Sequence, residues 1–130
     1  METISITDFE RLLTEHPELT ATGFIVDSDD TQFTMKEREA LFTFYSEFLV
    51  CCEFASHLRK QQCVSRQMSS YGLKHVVERW ATKRGILPNY IPKGVFIAAM
   101  IYMGFNYKRI KNSRNAYFNV SMKSLREFDL

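Results

Sequence analysis

A mainly α-helical domain of about four helices, closing with a C-terminal two-stranded β-hairpin, is the fold class this sequence predicts. Three observations predict it. Apolar residues recur at intervals of three and four through residues 34–60, 70–84 and 92–103, the period of helices with a buried face. Two short strand-like runs, 106–110 and 116–120, flank turn-forming residues. Hydrophobic residues make up 45% of the 130 and charged residues 25%, a balance that lets one domain bury a core without staples.

In order along the chain, Phe9, Leu12 and Leu13 share a helical face, with Thr7 and Glu10 arranged as a capping box and Pro17 ending the segment. Residues 20–34 read as irregular, with one edge strand at Phe24–Val26 and an acidic loop. Thr34 and Glu37 form a second capping box, opening one long helix to Lys60 whose stripe includes Leu41, Phe44, Phe48, Cys52 and Ala55. A polar joint, "QQCVSRQMSS", leads to a serine cap and the helix "YGLKHVVERWATKRG", stopped by Gly85. Pro92 suits the first turn of the next helix, which is apolar over nearly its whole circumference and ends at Gly104. The hairpin follows, its tip carrying Lys111 and Arg114, and residues 122–130 form a short helix or tail.

No repeat, low-complexity tract or linker divides the chain, so residues 1–130 read as one domain: an acidic helical half 1–58, a basic half 59–121 and the tail. Residues 1–58 hold 3 Lys/Arg against 12 Asp/Glu, a balance of −9; residues 59–130 hold 14 against 3, a balance of +11. Such asymmetry points to a polyanionic partner for the basic half, to one half screening the other, or to head-to-tail contact between subunits in a homo-oligomer. Apolar runs fall short of the ~18 residues of a membrane span, and the N-terminus has no signal-peptide pattern. Cys51, Cys52 and Cys63 are odd in number and two are adjacent, which suits neither a disulfide framework nor a zinc site. A cytoplasmic protein with free thiols is expected.

Helix, short turn, helix and basic hairpin is the order of elements in a winged helix. The side chains that would neutralise phosphates are Lys74, Arg79, Lys83, Arg84, Lys93, Lys108, Arg109, Lys111 and Arg114. The apolar helix 92–103 offers almost no polar group to base edges, so phosphate contact is expected to dominate over base reading. Tyr107, Tyr117 and Phe118 are candidates to stack on unpaired bases, against the commoner use of such residues in core packing. The second functional class is a protein-binding inhibitor or adaptor using acidic residues, with Asp27, Asp29, Asp30 and Glu37 as its surface.

Enzyme readings are weak. His57 or His75 could partner Cys52 or Cys63, yet no local signature places a nucleophile. The loop from Asp27 fails as a calcium loop, because its sixth position is Gln32 and its twelfth Arg38. No phosphate-binding glycine loop, dinucleotide fingerprint or metal-spaced set occurs, so no catalysis, cofactor or metal is expected.

Three stretches, "SSYGLKHVVERW", "YIPKGVFIAAMIYMGF" and "SRNAYFNVS", spanning about residues 69–121, resemble small proteins of unassigned function carried by phages, plasmids and other bacterial mobile elements. That group shows a Ser-Tyr-x-Leu-Lys-His helix, then a Gly-x-Phe-Ile-x-Ala-Ala helix, then a Pro-Asn-x-x-Phe-Asn ending. Lys93 stands where the group has Asn, and Arg114 where it has Pro. The resemblance implies a mobile-element setting and one structural unit that includes Tyr71, Gly94, Asn115 and Asn119. Lys74 and His75 are the members expected to be exposed enough to donate or titrate.

Overall fold

The computed structural model describes residues 4–128. Its elements run α1 Ile6–Glu15, β1 Leu19–Thr20, β2 Gly23–Phe24, α2 Thr31–Leu41, α3 Tyr45–Ser56 and β3 Lys60–Ser65. Then come α4 Ser70–Lys83, α5 Lys93–Tyr102, β4 Tyr107–Arg109, β5 Ala116–Val120 and α6 Met122–Phe128. Among the described residues, six helices and two antiparallel sheets replace the expected four helices and single hairpin, with 51% helix and 15% strand.

The expected long helix is two. At its break the N–H groups of Phe42, Thr43 and Phe44 donate to the carbonyls three residues back, Glu39, Ala40 and Leu41, at 3.0 to 3.2 Å. Thr43 Oγ1 adds a bond to the Ala40 carbonyl at 2.6 Å. This tightening, over aromatic and β-branched residues of modest helix propensity, ends α2; α3 restarts with Phe48 N–H on the Phe44 carbonyl at 3.0 Å. Apolar spacing runs unbroken across the joint, so it could not reveal the turn.

Both N-terminal caps also lie elsewhere than expected. Ser5 and Asp8 form the capping box of α1, each bonding the other's backbone N–H at 3.1 Å, and Thr7 lies inside the helix. Asp30 caps α2 by accepting from Phe33 N–H at 2.7 Å, four residues ahead of Thr34. The C-terminal end of α1 is closed from a distance: Arg38 Nη1 donates to the carbonyls of His16 (2.9 Å) and Leu19 (2.8 Å), and Nη2 to that of Leu13. Burial lowers the Arg38 pKa, partly opposed by Glu18.

The winged-helix-like arrangement is overturned by two features. The polar joint is strand β3, and it completes a sheet of order β3-β5-β4, so β5 is a central strand and not one arm of a free wing. β3 lies at the sheet edge and four of its six residues are exposed, which is why no apolar alternation marks it. The hairpin pairs Tyr107 with Phe118 and Arg109 with Ala116. Second, α5 is enclosed and presents no reading face, since every residue from Gly94 to Met100 is buried.

Helix α5 packs most extensively on α3, with α4, β1, β2 and α1 around it. One core runs from Phe9 to Leu125, with aromatic contacts such as Phe9–Phe48 at 4.6 Å and Phe96 edge-on to Phe118 at 6.0 Å. Gly94 sets the position of α5: its N–H donates to the Ala21 carbonyl at 3.1 Å, and a Cβ there would lie 1.7 Å from the Thr20 carbonyl oxygen. The first residues of α5 are thereby held against the small β1–β2 sheet.

Candidate nucleic-acid interface

Helix α4 is built with two faces. Leu73, Val76, Val77 and Trp80 point into the core, and Tyr71, His75, Arg79 and Lys83 point out. Lys74 belongs to neither as expected: it is 8% exposed. Its Nζ donates to Glu78 Oε2 at 3.1 Å and to the Ile91 carbonyl at 2.9 Å, and lies 4.8 Å from the Tyr90 ring centre. Glu78 Oε2 also accepts from Ile91 N–H at 2.9 Å, so the pair fastens the α4–α5 connection to α4. The correction is physical: a lysine at the i, i+4 position from a glutamate can be drawn inward when a passing backbone supplies a further partner. His75 is the exposed member; its Nδ1 lies 3.0 Å from Glu78 Oε1 and its ring meets Tyr71 edge-on at 4.7 Å. A carboxylate only accepts, so Nδ1 carries the proton there and Nε2 faces outward.

Two further members of the cationic set serve the fold. Arg114 forms a two-pronged pair with Asp29, Nη1 to Oδ2 at 2.9 Å and Nη2 to Oδ1 at 2.5 Å. The hydrogen bonds from Arg114 hold the Asp29 carboxyl below its ordinary pKa, and Asp29 in turn raises that of Arg114. Arg109 donates to the Ile25 carbonyl at 2.8 Å and lies 4.3 Å over the Phe24 ring. Arg84 packs 5.5 Å from the Trp80 ring. Lys108 and Lys111 are exposed on the β4–β5 hairpin, Lys108 opposite Tyr117. Arg79, Lys83 and Lys93 stand on α4 and the first turn of α5.

The stacking residues are not those of the hairpin. Phe118 is 1% exposed, and Tyr107 stacks on Phe24 at 5.8 Å, both within the core, which leaves Tyr117 half-buried on the outer side. Two other tyrosines stand free of the core: Tyr71, 55% exposed, and Tyr90, 66% exposed. Both line one cleft of about 410 Å³, together with Lys74, Lys93, Glu37 and Phe44. Lys93 Nζ lies 5.8 Å from the Tyr71 ring centre, so each ring carries an ammonium group.

Burial first, then the charges of Arg114 and Lys74, lower the pKa of Lys93. Among the described residues no carboxylate pairs with it within 4.0 Å. A partly desolvated ammonium beside two other cations is a place where an anion is welcome. Across the cleft, the Glu37 carboxylate likewise takes no hydrogen bond among the described residues. Of the other acids in the alternative surface, Asp27 is exposed, Asp29 holds Arg114 and Asp30 caps α2.

The thiols do not form a nucleophilic site with the histidines. Burial pushes the Cys51 thiol well up and that of Cys52 up to about 12, far from thiolate at neutral pH. No cluster of three metal-ligating side chains occurs among the described residues, and no helix there is long and apolar enough to cross a membrane. Comparison with protein families, curated proteins and solved structures finds no match to this chain.

Tyr71 and Tyr90 were missed in the sequence because attention fell on the hairpin. A signal existed: Tyr71 lies off the 73, 76, 77, 80 stripe of its helix, and Tyr90 sits in the connection beside Asn89 and Pro92, where no core position is expected.

Proposed function

We propose that this protein is a non-enzymatic accessory factor that binds single-stranded nucleic acid. The bases stack on Tyr71 and Tyr90, and Lys93, Arg79 and Lys83 contact phosphates. The observation that carries this reading is the convergence of two exposed tyrosine rings, each with a lysine ammonium on it, on one cleft. Base stacking on an aromatic ring tolerates sequence and contributes about 1–3 kcal/mol per base, and neighbouring cations follow the backbone. A duplex hides its base faces and would gain only the phosphate contacts. The resemblance of residues 69–121 to mobile-element proteins supports a phage or plasmid setting.

Fluorescence anisotropy with a short, labelled single-stranded DNA and its duplex form tests the reading. Three phosphate contacts give a slope of about −2 in log K against log salt on the single strand. Tyr71→Ala and Tyr90→Ala each weaken single-strand binding about tenfold, and Tyr→Phe at either position is nearly silent. Equal affinity for duplex and single strand, or indifference to both alanine variants, overturns it.

A further inference from the structure

We propose that the cleft between Tyr71 and Tyr90 selects guanine. This rests on the reading of the same cleft as a stacking site and adds which base it takes. The argument lies in the chemistry of the walls. Two are aromatic rings; one end holds Lys93, an ammonium with no carboxylate partner among the described residues, and another wall holds the Glu37 carboxylate, likewise unengaged. A planar ligand with an anion at one end and hydrogen-bond donors at the other fits that set, and a nucleotide is such a ligand.

The bases differ in what they offer to a carboxylate. Two oxygens side by side accept and cannot donate. Guanine presents N1–H and an N2 amino hydrogen next to each other, two parallel donors that match a carboxylate in a charge-assisted, two-pronged bond. Adenine places the bare N1 beside its N6 amino group, and cytosine places the bare N3 beside N4, so each sets a lone pair against the second oxygen. Uracil and thymine flank a single N–H with two carbonyls. Guanine alone gains both bonds without a repulsive contact.

Glu37 is placed to impose this. Its backbone carbonyl accepts from Ala21 N–H at 3.0 Å, which ties α2 to the segment that also meets the start of α5, so the carboxylate and Lys93 are carried by parts that are fastened together. The cleft volume of about 410 Å³ lies in the range of small-molecule sites. The ammonium of Lys93 faces the phosphate, and Tyr71 and Tyr90 face the ring.

Titrating the protein with GMP, AMP, CMP and UMP, followed by tyrosine fluorescence and by calorimetry, tests the assignment. GMP binds at least about tenfold more tightly than the other three, the discrimination of one good two-pronged base contact. Glu37→Gln replaces one acceptor by a donor, so GMP loses about tenfold and AMP gains, because an amide matches the adjacent acceptor and donor of adenine. Circular dichroism establishes that the variant is folded. If single-stranded DNA binds with the tyrosine dependence above but the four nucleotides bind alike, or if Glu37→Gln leaves the order unchanged, guanine selection is overturned and the stacking site stands. If neither nucleotides nor single strands bind, both readings fall.

Discussion

Replacing Gly94 by alanine puts one methyl group where the chain has no room for it. The new Cβ would lie 1.7 Å from the Thr20 carbonyl oxygen, 2.8 Å from its carbon and 3.2 Å from the Ala21 carbonyl carbon. All three are backbone atoms, so no side chain can rotate away. Because Cβ atoms keep at least 3.0 Å from such neighbours, β1 and α5 must part by about 1.3 Å. That separation breaks the 3.1 Å bond from Gly94 N–H to the Ala21 carbonyl. Overpacking costs about 1–3 kcal/mol and the lost bond about 1 kcal/mol. The better helix propensity of alanine returns up to about 1 kcal/mol. The net expectation is a loss of about 1–3 kcal/mol, read in urea unfolding as a lower midpoint at an unchanged m value. Lys93 is the neighbour, so single-strand affinity falls in the same variant. A Gly94→Ala protein as stable as the parent, or more so, would refute the close approach of α5 to β1 on which the cleft is built.

Two further outcomes follow from the partners of the buried charges. Glu78→Leu leaves the Lys74 ammonium buried with one carbonyl, and thermal denaturation should show a loss of about 3 kcal/mol, much of it recovered when Lys74→Met is added. Asp29 has its folded-state pKa held below the usual 3.8 by Arg114, so its pairing stabilises the fold above that value and is lost as pH falls through the lower, folded one. In Asp29→Asn this part of the acid sensitivity is absent; urea midpoints measured between pH 5 and pH 2 should fall less steeply than in the parent, and parallel curves would count against the pairing.

The helices were legible wherever one face repeats. Leu73, Val76, Val77 and Trp80 announced α4, and the all-apolar run from Val95 to Met100 announced a buried α5, because burial itself writes the pattern. The stop signals at Gly85 and Gly104 were also readable: both adopt positive φ, 65° and 86°. What could not be read shares a cause. The turn at Phe42–Phe44 keeps its apolar residues, and edge strand β3 is polar on both faces, so neither changes the pattern that marks an element. Lys74, Arg109 and Arg114 were assigned to solvent by residue type, whereas their fate depends on backbone carbonyls and a carboxylate up to 85 positions away in the chain. The cleft depends on four separate segments meeting, and so its tyrosines carried no mark of their common purpose.

The middle place of β5 gives the order of assembly a direction. Its five residues must find β3, more than fifty positions earlier, and β4 just behind them, and Phe118 must close over Phe96. Until that strand has left the ribosome, the greasiest helix of the chain lacks a lid and two strands lack a neighbour. The nascent polypeptide is therefore at its stickiest just before synthesis ends, a window in which a chaperone would find its best purchase.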